Sequence, residues 1–337
     1  MQYTLIKHTA QYGGFMAKAY LVKGKESRVE SGHPWIYRSD IERTEGSFEP
    51  GDIVDVYSSK NRFLGRGYMN PRSQITIRIL TTEDEEINDD FWFGRIKAAW
   101  EYRKRVADVN SCRVIFAESD FLPALIVDKF GDILVMQTLS LGIDRYKYKF
   151  VEMLNEIIKP AGIYERNDVS VRNLEGLEMQ KGYLYGNFDT KVLMVENGIK
   201  FEVDVENGQK TGYFLDQKEN RAAIRPFVKD AKVLDCFCHT GAFALHAAHY
   251  GAKDVLGIDI SEHAVQFASE NAALNGLQGN CRFQTANTFD MLREYYDRGE
   301  RFDTIILDPP AFTKSKNAVE GAVRGYKEIN LRAMKII

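Results

Sequence analysis

The chain has 337 residues, 44% of them hydrophobic and 28% charged, with a net charge of −3. That is an ordinary globular composition, long enough for two or three domains, and it excludes a polycation, so nucleic-acid binding has to come from a local basic face. No apolar run of about 18 residues occurs, which excludes a membrane-spanning helix and a membrane partner, and four scattered cysteines, Cys112, Cys236, Cys238 and Cys281, exclude a disulfide framework.

Few free cysteines point to a reducing cytoplasm. The first fifteen residues (MQYTLIKHTAQYGGF) lack a charged segment followed by an apolar core, so they are no secretion signal. They read as an extension or a poorly packed arm before Met16.

Residues 16–85 form the first domain. Up to residue 82 they read as short β-strands, AYLV, DIVDVYS, FLGRGYM and ITIRIL, broken by Gly and Pro turns. Basic residues gather here, among them Arg28, Arg38, Lys60, Arg62, Arg66, Arg72 and Arg78. The acidic stretch Glu83–Asp90 reads as a linker. Residues 91–188 read as an α+β domain. Phe91–Val106 is an amphipathic helix carrying Arg103, Lys104 and Arg105. LPALIVDKFGDILVMQTL is a hairpin turned at Lys129–Asp132, and Tyr148–Ile158 is a helix that stops before Pro160.

From residue 190 to 337 the pattern changes. A hairpin, VLMVENGIKFEVDV, turns at Asn197-Gly198. Strand and helix then alternate four times, with strands VLDCF, VLGID, RFQTA and DTIIL, and a helix is expected over 317–337. Such alternation predicts an α/β, Rossmann-like parallel sheet, whose ligand crevice lies at the carboxyl ends of the strands. A doubly wound sheet ordinarily continues past a fourth strand, so the expectation is that the C-terminal strands are missing.

The chemistry sits at those strand ends. VLDCFCHTGAF (233–243) is a strand ending in Asp235, a turn with Gly241, and a helix. A helix N-terminus at such a turn offers free N–H groups and a positive dipole end. The turn lacks GxGxxG, so it is not built for a pyrophosphate. S-adenosylmethionine, which presents an amino-acid carboxylate instead, fits. Asp259 ends the second strand, where an acid binds ribose hydroxyls; the bland reading is that it caps the next helix, for which Ser261 is also available. Asn287, near the end of the third strand, is placed to hydrogen-bond an adenine amino group. Asp308, Pro309 and Pro310 end the fourth. The prolines stiffen the turn, which suits a planar base with amino and imino edges, walled by Phe312. Cys236, Cys238 and His239 have no second ligand pair at zinc spacing, so no metal is expected. His246 and His249 read as structural.

These motifs together resemble bacterial ribosomal RNA cytosine-5 methyltransferases that carry an N-terminal PUA domain. The resemblance runs from Met16 along nearly the whole chain. SGHPWIYRSDI (31–41) and PGDIVDVYSSKNRFLGRGYMN (50–70) are similar to the PUA-type RNA-binding module. GQKTGYFLDQKENR (208–221) resembles a segment packing against the cofactor, and VLDCFCHTGAF, GIDIS and LDPPAF resemble the cofactor and substrate motifs. Asn287 departs from the family, where an Asp is frequent.

The resemblance implies a class I S-adenosylmethionine-dependent methyltransferase domain behind a PUA domain and a central α+β domain. It implies methyl transfer to C5 of a cytosine in large-subunit rRNA, after a thiolate adds to C6 and with the base extruded. Asp308 would hold the amino/N3 edge, with Pro309 and Pro310 shaping the catalytic loop. The cofactor residues implied are Phe214, Asp216, Gln217, Asp235, Cys236, Phe237, Thr240, Gly241, Phe243, Asp259, Ile260, Asn287 and Thr288. The expected RNA contacts are Arg38, Arg62, Arg66, Arg103 and Lys104. The family's nucleophilic cysteine falls in a later strand-end motif, so it is expected beyond Ile337. A homodimer is left open. The alternatives are an amino-directed adenine or guanine methyltransferase, an RNA-binding protein with a decayed enzyme domain, and a nicotinamide oxidoreductase, the last disfavoured by the missing GxGxxG.

Overall fold

The computed structural model describes residues 16–313 and 318–337. The expected arm at 1–15 and the first position of the expected 317–337 helix lie outside the described residues. The chain divides into two units: one runs to Thr190 and also takes Val205–Gly212, the other takes Lys191–Asp204 and Tyr213–Ile337.

The first unit opens with β1 (Lys18–Leu21), α1 (Glu26–Glu30), β2 (Trp35–Tyr37), β3 (Ile41–Glu45), β4 (Ile53–Tyr57), β5 (Phe63–Met69) and β6 (Ile75–Thr81). They form one sheet in the order β2-β6-β5-β4-β1-β3, with β1 and β4 parallel. Its core is Leu21, Ile36, Val54, Val56 and Ile77. The apolar runs seen in the sequence are β1, β4, β5 and β6. β3 exposes four of its five residues (IERTE), so it carries no apolar alternation to betray it.

α2 (Asp89–Val106) starts at Asn88, whose side chain accepts the Phe91 N–H at 3.0 Å. It buries Trp92, Ile96, Ala99 and Trp100. A second sheet follows, built from β7 (Ser111–Phe116), β8 (Leu125–Phe130), β9 (Ile133–Thr138), β10 (Gly162–Asn167) and β11 (Gln180–Tyr185), in the order β11-β10-β9-β8-β7. α3 (Leu141–Asp144), α4 (Lys147–Ile158) and α5 (Val171–Leu174) connect its strands. Phe150 and Leu154 of α4 pack with Trp92 and Ile96, and Tyr68 and Leu80 of the first sheet join this same core. Glu175 ties the two sheets further, accepting from Ser73 Oγ (2.5 Å), Arg78 (2.9 Å) and Asn70 Nδ2 (3.0 Å). β10 is buried throughout although its sequence is GIYERN. Glu165 pairs with Lys147 at 2.7 Å, and Arg166 donates to the carbonyls of Val205 (2.9 Å) and Gly208 (3.0 Å). Thr211 Oγ1 donates to Asp128 at 2.6 Å.

The second unit begins with β12 (Lys191–Glu196) and β13 (Ile199–Asp204). Their turn, Asn197-Gly198, has φ of +51° and +85°, the left-handed pair a two-residue hairpin needs. α6 (Lys218–Ala223) and α7 (Arg225–Val228) precede the alternating region: β14 (Lys232–Cys236), α8 (Ala242–His249), β15 (Asp254–Asp259), α9 (Glu262–Leu274), β16 (Cys281–Thr285), α10 (Thr288–Asp297), β17 (Thr304–Leu307) and α11 (Val319–Lys335). The four strands are parallel in the order β16-β15-β14-β17. The order reverses between β14 and β17, so the crevice opens at their carboxyl ends. α9 satisfies the free edge of β13 with two asparagines: Asn271 Oδ1 accepts the Glu202 N–H (2.8 Å) and Asn275 Oδ1 accepts the Lys200 N–H (2.9 Å). None of the described helices is long and apolar enough to cross a membrane.

Candidate active site

β14 (KVLDC) buries four of its five residues, as a central parallel strand does. In register, Cys236 lies beside Ile258 on one side and Leu307 on the other. The next residues of the neighbouring strands are the two acids Asp259 and Asp308. Three carboxylates therefore converge where β14 ends.

Asp235 is the buried member. Its Oδ2 accepts the Ala244 N–H at 2.9 Å and so caps α8 from outside the helix. Its Oδ1 is buried and has no hydrogen-bond partner among the described residues. Burial pushes its carboxyl up to about 8, with the Asp308 and Asp259 charges adding to the rise and the Ala244 bond opposing it. An orphaned acidic oxygen of this kind is stabilised by an incoming cation or donor.

Asp259, half-buried, accepts the N–H of His239 at 2.9 Å and of Ser261 at 3.0 Å. Each carboxylate oxygen keeps a second acceptor position. Ser261 caps α9, accepting from Ala264 N–H at 3.3 Å. The intervening turn is strained: Phe237 and His239 have φ of +64° and +49°, beside Gly241 at +80°. Bulky residues in that region are rare and cluster at functional sites. Gly241 is also required by packing: a Cβ there would meet the Phe283 ring at 2.7 Å and Ala268 Cβ at 2.9 Å.

The opposite wall is aromatic. Phe312 lies 5.7 Å from Phe289, 6.2 Å from Phe237 and 4.5 Å from Tyr326. Tyr326 Oη accepts the Phe312 N–H at 3.3 Å and donates to the Pro310 carbonyl at 3.4 Å. α11 thus holds the Asp308–Pro309–Pro310 corner, a support that sequence reading did not assign.

A second support lies behind the turn. Glu196, fully buried, takes a bidentate pair from Arg221 at 2.6 and 3.0 Å and a hydrogen bond from Tyr213 Oη at 3.1 Å. Arg221 also donates to the Phe214 carbonyl at 2.9 Å, and the Phe214 ring meets His239 edge-on at 5.6 Å. His246, buried on α8, stacks on Phe201 and is pushed down to about 3 by burial, so it is neutral. Sequence reading missed Glu196 and Arg221; a lone acid in an apolar strand was the signal.

The remaining expected cofactor residues are placed as follows. Phe237 and Thr240 are half-buried in the turn. Phe243, half-buried on α8, lies 5.9 Å from the Arg221 guanidinium. Asp216 and Gln217 lie in the short Leu215–Gln217 turn, where Gln217 accepts from Asn220 at 2.6 Å. Ile260 is 74% exposed beside Asp259, an open apolar surface at the crevice. Cys236 belongs to the buried core with Leu234 and Ile258. Asn287 caps α10, its Oδ1 accepting the Phe289 N–H at 2.9 Å, and Thr288 is buried as the first residue of that helix.

All four cysteines are buried. Burial raises the Cys236 and Cys238 thiols well above their usual range and Cys281 to about 12. None of these three is a thiolate at neutral pH.

The expected RNA contacts divide. Arg38, Arg62 and Lys104 are exposed, Arg62 pairing with Glu30 and Lys104 with Glu101. Arg66 is buried between Asp55 (2.6 Å) and Asp84 (3.0 Å). Arg103 has its guanidinium forked onto Asp120 at 3.0 and 2.6 Å. Both spend their charge inside the fold.

Comparisons with known proteins agree with this layout. A PUA-like domain model matches residues 19–82 and a methyltransferase domain model matches residues 227–330. The ribosomal RNA large subunit methyltransferase I of Photobacterium profundum is 44% identical over 325 residues, covering 94% of this chain and 82% of that protein. The Vibrio cholerae serotype O1 protein of the same name is 42% identical with the same coverage. Among solved structures, the methyltransferase SMU.776 complexed with SAH superposes with a TM-score of 0.79 at 20% identity, covering 95% of this chain and 83% of that one. A SAM-dependent methyltransferase from Streptococcus mutans gives 0.75 at 20% identity, covering 95% and 90%. Fold and relatives converge: the chain belongs to the ribosomal RNA large subunit methyltransferase I family.

Proposed function

We propose that the chain methylates C5 of a cytosine in large-subunit ribosomal RNA, in a reducing cytoplasm. The observation that carries the reading is the set of three acids at the ends of β14, β15 and β17, one of them with an orphaned buried oxygen.

The residues fit S-adenosylmethionine. Asp235 Oδ1 suits a cationic ammonium, the spare acceptor positions of Asp259 suit two ribose hydroxyls, and Ile260 offers an apolar face to a purine. Bound there, the cofactor supplies an electrophilic methyl group on a sulfonium. Acids on three sides favour positive charge at that spot.

The chain's own residues do the rest. Phe312, fixed by Tyr326, walls the pocket for an extruded base. Pro309 and Pro310 hold Asp308 rigid, so its carboxyl meets the amino/N3 edge of the cytosine. C5 of cytosine is a weak nucleophile, and thiolate addition at C6 makes it an enamine. That thiol is none of Cys112, Cys236, Cys238 and Cys281, which are all buried.

The test is nucleoside analysis of large-subunit RNA from cells with and without the gene, the product being the modification lost on deletion. The expected product is 5-methylcytidine. A methylated guanine or adenine amino group as the sole product would overturn the C5 assignment.

A further inference from the structure

We propose that the outer face of α2 is a stacking site for unpaired nucleotides of the RNA, a reading that rests on the RNA methyltransferase assignment above. Phe91, Arg95, Ala98 and Tyr102 recur at helical spacing and share one stripe, beside the buried stripe of Trp92, Ile96 and Trp100. The Arg95 guanidinium lies 4.6 Å from the Phe91 ring centroid and 5.3 Å from that of Phe121. It donates to the Phe121 carbonyl at 3.2 Å. Among the described residues it forms an ion pair with no carboxylate, so its remaining N–H groups are available to a phosphate.

Two adjoining hollows of ≈ 390 and ≈ 550 Å³ run along this face, both lined by Arg95 and Ala98. Tyr102 and Phe121 border the larger one. Asp120, which also lines it, is consumed by Arg103 and by the Phe116 N–H at 2.6 Å. Glu85 and Asp90 line the smaller hollow. The larger one is therefore the side compatible with a polyanion.

The backbone supplies an independent observation. Ala117, Phe121 and Ala124 have φ of +45°, +57° and +64°. A bulky aromatic at such a φ is a genuine outlier, and strain of this kind gathers at functional sites. Here it leaves Phe121 67% exposed; Tyr102, which borders the same hollow with the Arg103 guanidinium 5.1 Å from its ring, is 52% exposed. The fold holds two rings out of its own core.

Seven helical residues separate Arg95 from Tyr102, about 10 Å. That is the rise of roughly three bases stacked at about 3.4 Å. Aromatic faces take any base and a guanidinium takes the backbone, which is the chemistry of a single-strand platform without sequence preference. A duplex hides its base faces, so the site selects unpaired RNA.

The test uses the full chain, fluorescence anisotropy at constant salt, and two probes: a single strand of about 12 nucleotides and a duplex of the same length. Phe121→Gly and Tyr102→Ala are each expected to weaken single-strand binding about tenfold, with little effect on the duplex. Their salt dependence stays that of the wild type, whereas Arg95→Gln makes the slope shallower by about one. Glycine accepts the φ of position 121, so the melting temperature of Phe121→Gly is expected to equal or exceed the wild type. Unchanged single-strand affinity in both aromatic variants overturns the proposal, as does equal loss on both probes. Wild-type protein that still binds SAH and methylates RNA in that case leaves the enzyme reading standing. Wild-type protein that does neither removes that reading and this one together.

Discussion

Replacing Asp235 by Asn should stabilise the cofactor-free protein above neutral pH and cripple cofactor binding. In the folded chain its carboxyl is raised from 3.8 to about 8. Between those values the folded state keeps a proton that the unfolded state has lost. Stability is then fully present below about pH 4 and falls with rising pH by about 1.4 kcal/mol per unit until about pH 8. Asn does not titrate. The stability difference between variant and wild type should therefore grow by about 4 kcal/mol from pH 5 to 8 and then level off. Urea unfolding at each pH unit measures it. Binding shows the opposite side of the same linkage: a cation joining Asp235 favours its ionised form, so wild-type affinity for S-adenosylmethionine should tighten by up to about tenfold per unit between pH 6 and 7. Calorimetry in buffers of different ionisation heat should detect the proton released by the wild type and none from the variant. Parallel stability curves for the two proteins, or no proton release, would refute the reasoning.

Four further outcomes are expected. Asp308→Asn should abolish methyl transfer, change SAH affinity less than transfer, and lower the pH at which Asp235 titrates, since the Asp308 charge helps to raise it; steady-state rates and calorimetry separate these. Gly241→Ala should cost about 3 kcal/mol, because φ is +80° and the new Cβ would strike Phe283 at 2.7 Å; the denaturation midpoint reads this. Arg221→Met should cost about 3–5 kcal/mol by leaving Glu196 buried and unpaired, and adding Glu196→Gln should restore most of it in a double-mutant cycle. Arg66→Gln should lower the melting temperature while leaving RNA affinity of the folded protein unchanged, whereas Arg62→Gln should do the reverse.

The strand ends were legible because a buried parallel strand is an apolar run, and Asp235, Asp259 and Asp308 each break such a run. What they do to one another was not legible: the Asp235 carboxyl is raised by burial first, and then by two acids brought beside it only by strand register. Gly241 shows a different limit. Its need for a missing side chain was clear, but which atoms fill the space was decided by Phe283 from another strand. The arginines show a third. Arg62 and Arg66 look alike four residues apart, yet Arg62 precedes β5 and stays exposed, while Arg66 lies within β5 in register with Asp55 and is buried against it. β10 escaped notice because its buried charges are neutralised by distant residues such as Lys147.

The chain crosses between its two units three times, since Val205–Gly212 returns to the first before the second resumes. A scissor cut at Thr190, where the sequence invites one, would leave Arg166 without two carbonyl acceptors and Asp128 without the Thr211 hydroxyl. An isolated amino-terminal half would keep the Arg166–Asp168 and Arg113–Asp128 ion pairs but lose the hydrogen bonds that complete the surroundings of Arg166 and Asp128. Separating the two halves cleanly calls for splicing the eight-residue return back onto the first.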